Sequence, residues 1–327
     1  MKTVFIVNPK AGQGKNISRL INSIQEYILY QNADAQIYIT KSVDDARQFV
    51  ADFCSKIGPA RFIACGGDGT LNEVLNGAIE CKDAEIGVIP IGTGNDFCRN
   101  FNSQFDFLNI SNHITGSAQK CDAIHYLTTL NGVKKEGYCI NMINIGFDCN
   151  VADMTAQMKK KPFVSGSMAY FISILIAMIK KKGVNFTMEI DGEDVYSGKF
   201  LLTSIANGSY CGGGIKSNPL AQVCDGIMNV NIIKNVKRLQ FIPLLPHYMN
   251  GTILDVRNIG RYLINKDCRK IAIKPNGENM RMCVDGEIMD AGETTIEIIH
   301  NAFNFVNAEG FFADKSVDVE SCQNIVI

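Results

Sequence analysis

The chain has 327 residues, a hydrophobic fraction of 46%, a charged fraction of 20% and a formal net charge of -1. This length and composition predict a globular protein of two domains, and the near-zero charge gives no global attraction to nucleic acid or to a membrane. The 12 cysteines form no Cys-x-x-Cys pair. Their scatter argues against a zinc site or a redox dithiol and favours reduced thiols in a cytoplasmic protein. A strand-like run follows Met1 and Lys2 directly, so we expect no signal peptide.

The first hundred residues alternate predicted strands and helices. Strands are predicted at residues 3–7, 35–39, 61–64 and 86–91, and helices at residues 17–30, 44–57 and 70–79. This alternation is typical of an α/β fold with a doubly wound, mostly parallel sheet.

Three glycines, Gly66, Gly67 and Gly69, mark the turn between the third strand and the next helix. Glycines let a ligand approach the backbone, and a helix N-terminus attracts phosphate. Asp68 would repel phosphate unless a divalent cation lay between them, so this turn predicts a metal-nucleotide site. The simpler alternative is a tight turn with Thr70 as the helix N-cap.

A second glycine turn, Gly92-Thr93-Gly94-Asn95-Asp96, follows the fourth strand. In a parallel sheet both turns lie at the carboxyl ends of strands, where open α/β sheets bind ligands. A third glycine-containing turn spans residues 8–15, but it lacks the pattern of a Walker A loop. Lys15 and Arg19 after it could contact phosphate or be solvated helix charges.

From about residue 120 the pattern changes to longer strands, predicted at residues 138–145, 185–190, 199–206, 228–233 and 295–299. These strands predict a β-rich, sandwich-like second domain. Among them lies an apolar run, residues 168–179, with three lysines on each side. It is too short to span a bilayer. It is either a core helix or a segment that lines a lipid site and touches anionic headgroups.

The sequence Asp285-Gly286-Glu287 has two interpretations. Asp-Gly is a common hairpin turn, but two carboxylates around a glycine can also converge on one hydroxyl and accept its proton. Asp225-Gly226 is similarly either an ordinary turn or part of an oxygen-ligand site for a hard cation.

Together these motifs resemble the catalytic domain of the diacylglycerol kinase family, which includes bacterial lipid kinases, sphingosine kinases and, more distantly, NAD kinases and phosphofructokinases. The matching segments are Val7-Asn8-Pro9 with Gly12 and Gly14, GGDGTLNEV from Gly66, GTGNDF from Gly92, NGSYCGGG from Asn207, and Asp285-Gly286-Glu287. The resemblance implies a nucleotide-binding α/β domain of the NAD kinase type at residues 1–122, completed by residues 300–327. Residues 123–299 would form the lipid-substrate and metal-binding domain.

The resemblance also implies roles for single residues. The nucleotide would contact Asn8, Pro9, Gly12, Thr40, Gly66, Gly67, Gly69, Thr70, Glu73, Thr93, Asn95 and Asp96. Asp68 would hold a catalytic Mg²⁺, and Gln222, Asp225 and Ile227 a structural Mg²⁺ that Asp122 reaches through water. Glu287 is the favoured catalytic base, with Asp285 a close second.

We therefore expect transfer of the γ-phosphoryl group of ATP to a lipid hydroxyl, with diacylglycerol the favoured acceptor. Alternatives are another lipid alcohol, such as a sphingoid base or an undecaprenol-like lipid, a soluble acceptor such as NAD, and a non-catalytic nucleotide or lipid sensor. We expect peripheral contact with the inner face of the membrane and no nucleic-acid partner. The sequence does not decide between a monomer and a homodimer.

Overall fold

The computed structural model describes residues 1–101, 105–146, 183–236, 240, 242–277 and 280–307. The lysine-flanked apolar segment of the sequence analysis lies outside these ranges, as do residues 308–327.

The amino-terminal domain is built on a parallel sheet in the order β4-β3-β1-β2. Its strands are β1 (Thr3–Val7), β2 (Ala35–Ile39), β3 (Arg61–Gly66) and β4 (Glu85–Pro90). Its helices are α1 (Ile17–Gln31), α2 (Asp45–Lys56), α3 (Asp68–Ala78) and α4 (Ile110–Thr115), with short 3-10 turns at Ala11–Gly14 and Phe97–Asn100.

Both faces of this sheet are covered, as the uninterrupted apolar strands require. Alternate residues of β1 point to opposite faces: Val4 and Ile6 pack with α2 and α3, whereas Phe5 and Val7 pack with α1. The predicted doubly wound arrangement is confirmed, and the carboxyl ends of the four strands meet along one edge.

The second domain is dominated by antiparallel strands. They are β6 (Val133–Cys139), β7 (Met142–Gly146), β8 (Val184–Ile190), β9 (Asp194–Ala206), β10 (Met228–Lys234), β11 (Leu263–Cys268), β12 (Lys270–Pro275), β13 (Met280–Val284) and β14 (Glu287–Ala291), with a helix, α5 (Leu245–Asn250). Their inward residues form a separate apolar core that includes Ile143, Ile205 and Val230. The predicted β-rich domain is confirmed.

Two long antiparallel strands, β5 (Ala118–Leu130) and β15 (Glu293–Val306), connect the domains. The first part of β15 pairs with β12, whereas Asn304 and Phe305 pair in parallel with β4. The register between β5 and β15 shifts between Ile299 and Phe303, where the strand passes from one domain to the other.

The single strand predicted over residues 138–145 is wrong. The structure divides it into β6 and β7 because the backbone N–H groups of Ile140, Asn141 and Met142 donate to the carboxylate of Asp285. A side-chain acceptor takes these donors in place of a neighbouring strand, and the strand is interrupted there.

Among the helices of the described ranges, none combines the length and the apolarity that a membrane crossing needs.

We predict that Gly92→Ala lowers the free energy of unfolding by about 1–3 kcal/mol, because the new Cβ overlaps the Cα of Gly67 in the neighbouring turn. Urea denaturation monitored by circular dichroism measures this change. Gly260→Ala is the matched control, because a Cβ there meets no atom within 4 Å. Equal stability of the two variants would show that the two turns are not packed as described.

Candidate active site

The two glycine turns pack directly against each other at the carboxyl edge of the sheet. The N–H groups of Ile91 and Gly92 both donate to the carbonyl oxygen of Gly66, at 3.0 and 3.1 Å. Since Gly92 lies against Gly67 with no room for a side chain, the turns form one surface of exposed backbone.

Helix α3 begins at Asp68 with Gly67 as its N-cap, so the alternative of Thr70 as the cap is wrong. Thr70 lies in the first helical turn instead. Its hydroxyl accepts a hydrogen bond from Nδ2 of Asn8 at 3.0 Å, and a side chain at Gly66 would collide with it. The end of β1 is thereby joined to the start of α3.

The other predicted nucleotide residues lie along the same edge. A Cβ at Gly12, whose φ is +55°, would come within 2.6 Å of the carbonyl oxygen of Ile91. Thr40 is buried and donates its N–H to the oxygen of Val7 at 2.9 Å, whereas Pro9 and Thr93 are exposed.

The Asp68 carboxylate faces the second glycine turn. Its Oδ1 accepts from the N–H groups of Asp96 at 2.8 Å and Phe97 at 3.3 Å. Its Oδ2 borders the space at Gly94: a Cβ there would lie 2.7 Å from this oxygen and 3.4 Å from Oδ2 of Asp96. Burial, followed by the charge of Asp96, raises the pKa of Asp68 to about 6.

Asp96 binds the first domain to the second. Its carboxylate accepts from the N–H groups of Gly213 and Gly214 at 2.7–3.0 Å, in the glycine turn that follows β9. Asn95 has a positive φ, and its Nδ2 donates to the oxygens of Pro90 and Gly92. Both residues therefore hold the shape of the cleft.

The side chain of Glu73, on helix α3, reaches to the start of helix α2. Its two carboxylate oxygens accept from the N–H groups of Asp44 and Ala46, at 3.0 and 3.2 Å. These are donors at the start of α2, so Glu73 supplies a cap from a neighbouring helix.

The acid pair of the second domain lies on the hairpin of β13 and β14. Asp285 and Gly286 form its two-residue turn with φ values of 46° and 92°, so the predicted hairpin turn is present. Glu287 is the first residue of β14, and its Oε1 lies 4.0 Å from the position of a Cβ on Gly69. Glu287 and the start of α3 thus face one cleft.

The two acids have different surroundings. The Asp285 carboxylate accepts five hydrogen bonds, from the N–H groups of residues 140, 141 and 142, from Nδ2 of Asn72 and from Sγ of Cys139. Glu287 is exposed. Partial burial and then the charges of Glu73, Asp285 and Asp44 raise its pKa. Of the two, Glu287 has the carboxylate that a substrate can approach.

Asp122 lies at the domain crossing and is fully buried. Its carboxylate accepts from the N–H groups of Gly226 at 2.6 Å and Asn301 at 2.8 Å, and lies 2.8 Å from Nδ1 of His300. The loop that it holds contains the residues predicted to bind a structural metal. There Asp225 is exposed, and its Oδ1 accepts from the N–H of Ile227 at 3.0 Å, whereas Gln222 is half-buried.

Within the described part of the chain, no three His, Cys, Asp or Glu side chains are grouped as a metal site. One or two carboxylates with substrate phosphates and water are the usual ligands of Mg²⁺ in kinases. Asp68 and Asp96, whose carboxylates both approach Gly94, are the residues that would supply such a pair.

Several asparagines of the cleft were missed by the sequence analysis. Nδ2 of Asn100 donates to Oδ1 of Asn141, and Oδ1 of Asn100 accepts from the N–H of Ser209. Nδ2 of Asn207 bonds the oxygens of Asp122 and Ile140, both at 2.8 Å. Asn207 lies in a recognised motif, but nothing in a lone asparagine indicates its distant partner.

Two family models match the chain: the diacylglycerol kinase catalytic domain over residues 2–126, and the YegS C-terminal NAD kinase beta sandwich-like domain over residues 141–307. A Serratia proteamaculans protein named "Probable lipid kinase YegS-like" is 28% identical over 303 residues, which cover 91% of this chain and 92% of that protein. An Escherichia fergusonii protein named "Probable lipid kinase YegS" is 29% identical over 262 residues, which cover 77% and 82%.

Solved structures share the fold. A diacylglycerol kinase of Bacillus anthracis has a TM-score of 0.68 and 21% identity, over 94% of this chain and 97% of that one. An NAD kinase of Archaeoglobus fulgidus in complex with ATP has a TM-score of 0.51 and 14% identity, over 98% and 99%.

We predict that ionisation of Asp68 destabilises the protein when divalent cations are chelated. The folded pKa of Asp68, about 6, lies above the ordinary aspartate pKa of 3.8, so the folded state binds more protons and stability falls as pH rises from about 4 to 7. The loss relative to Asp68→Asn is at most about 3 kcal/mol. Urea unfolding of both proteins across this range measures it. Parallel curves would contradict the assignment of a raised pKa to Asp68.

Proposed function

Because this chain belongs to the family of YegS-like lipid kinases with a diacylglycerol kinase catalytic domain, we propose that it transfers the γ-phosphoryl group of ATP to the hydroxyl of a membrane lipid, with diacylglycerol as the favoured acceptor. One observation carries this proposal. The carboxylate of Glu287 lies beside Gly69, so that Asp68 and Glu287 approach one cleft from two domains.

The nucleotide phosphates would lie on the paired glycine turns. Gly66, Gly67 and Gly69 leave the backbone open, and the start of α3 presents N–H groups and the positive end of its dipole. The exposed Thr93 and the turn after β1 border the same surface. Phosphoryl transfer needs mainly positioning and charge stabilisation, which this surface supplies.

Glu287 would accept the proton of the acceptor hydroxyl. The pKa of Glu287 is raised towards neutral pH, and a general base is most effective when its pKa lies near the working pH. Asp285 has a positioning role in this proposal, because its oxygens are engaged by backbone and side-chain donors. Glu73 likewise holds the start of α2 through two backbone hydrogen bonds.

Two sites have ligands suited to Mg²⁺. Asp68, with Asp96 beside it, would hold an ion that also binds the ATP phosphates and neutralises their charge. The loop held by Asp122 offers the Asp225 carboxylate and the carbonyl oxygens of Gln222 and Ile227, which are the hard oxygen donors that Mg²⁺ prefers. In this loop Asp122 would act through the backbone of Gly226.

For Glu287→Gln we predict a kcat at least 100-fold below that of the wild type with an almost unchanged KM for ATP, because the amide cannot accept the hydroxyl proton. Initial rates of ³²P transfer from ATP to lipid vesicles measure both constants. Asp290→Asn, an exposed acid on the same strand, is the matched control. A kcat of Glu287→Gln equal to that of the control would remove Glu287 from catalysis.

The acceptor can be identified with purified protein, ATP and a panel of alcohols. We expect phosphorylation of diacylglycerol in mixed vesicles and none of NAD. Labelling of a sphingoid base or an undecaprenol-like alcohol would keep the lipid kinase and replace its acceptor. Phosphorylation of NAD alone would contradict the proposal, and so would tight ATP binding without turnover.

A further inference from the structure

Asn72 connects the first domain to the hairpin of β13 and β14 in the second domain. It lies one helical turn after Asp68 on α3. Its Nδ2 donates to Oδ2 of Asp285 at 2.7 Å and to the carbonyl oxygen of Tyr138 at 2.9 Å. The side chain therefore points to the second domain.

The partner of Asn72 is itself held firmly. Asp285 also accepts the N–H groups of Ile140, Asn141 and Met142, at 2.7–3.1 Å. It precedes Glu287 by two residues within a turn whose positive φ values fix the backbone. A shift of Asp285 relative to α3 would therefore carry Glu287 with it.

The orientation of the Asn72 amide is fixed by a second asparagine. Asn76, one turn further along α3, donates from Nδ2 to Oδ1 of Asn72 at 3.1 Å, and its own Oδ1 accepts from the N–H of Tyr138 at 2.8 Å. With its oxygen occupied, Asn72 presents its NH₂ group to Asp285.

We propose that Asn72 is a positioning residue for phosphoryl transfer: by its hydrogen bond to Asp285 it sets the distance between Asp68 and Glu287. This role rests on the proposed function, in which those two acids act on opposite sides of the transferred group. Asn72 itself would not touch either substrate.

The electrostatics of the site disfavour a further carboxylate at residue 72. Ionisable groups that contact Asp285 or act on it by charge are Asp68, Asp96, Tyr126, Cys139 and Glu287. Each of these groups carries a negative charge when it is ionised, and each lies close enough to Asp285 to act on its carboxylate. A further carboxylate at residue 72 would meet Asp285 at hydrogen-bond distance, where two carboxylates cannot both ionise.

Asn72→Asp turns this contact into a pH-dependent one. At low pH the new carboxyl and Asp285 share a proton, and the carboxyl O–H replaces the amide donor, so kcat stays near the wild-type value. As pH rises through the raised pKa of the pair, both ionise and separate. We expect kcat relative to wild type to fall by about 10- to 100-fold between pH 5 and pH 9, with KM for ATP little changed. Asn72→Ala should lose activity equally at all pH values.

Asn22→Asp is the matched control, because it makes the same charge change at an exposed position of α1, away from the cleft. Its kcat should follow the wild-type pH profile. If Asn72→Asp and Asn22→Asp show the same profile, Asn72 is merely structural and the inference is overturned.

A stability measurement tests the contact without any activity. Urea unfolding should show Asn72→Asp losing stability relative to Asn72→Ala as pH rises from 5 to 9, because the shared proton raises the folded pKa of the pair. If the wild type phosphorylates no acceptor, the proposed function fails, while the urea unfolding measurement still reports on the contact between residues 72 and 285. If the wild type is active and neither profile depends on pH, the inference alone fails.

Discussion

The Asp68 carboxylate is the constraint on which the site depends. It lies among glycine turns that otherwise present only N–H groups and open backbone, and burial there disfavours its charge. Two N–H donors on Oδ1 keep the side chain in place, and its Oδ2 faces Asp96 across the space at Gly94. In the proposed function, a carboxylate held in this way would bind a cation shared with the ATP phosphates.

The second domain brings Glu287, the base of the proposed function, to the same cleft, and it is held there by hydrogen bonds to backbone. Asp96 holds Gly213 and Gly214, Asp122 holds Gly226 and the crossing strand β15, and Asp285 holds the residues between β6 and β7. Each of these carboxylates receives N–H donors from a segment distant in sequence. Buried acids are therefore used here as fixed anchors, and Glu287 is left with an accessible carboxylate.

Much of this arrangement is predictable from the sequence because it depends on local patterns. Apolar runs and helical spacing predicted the parallel strands, and the glycines of residues 66–69 and 92–94 predicted turns at one edge. The break between β6 and β7 was not predictable, since its cause, Asp285, lies more than 140 residues away. For the same reason the hydrogen bonds of Glu73 were not predictable: its position in the motif is visible in the sequence, but the α2 donors that engage it are not.

The most direct test of this account is a crystal structure of the protein with Mg²⁺ and a non-hydrolysable ATP analogue. The account predicts phosphates on the turns at Gly67 and Gly92, the metal bound to Asp68, and the carboxylate of Glu287 facing the γ-phosphate across the cleft. A nucleotide bound away from these turns, or a metal complex that leaves Asp68 without a ligand role, would contradict it.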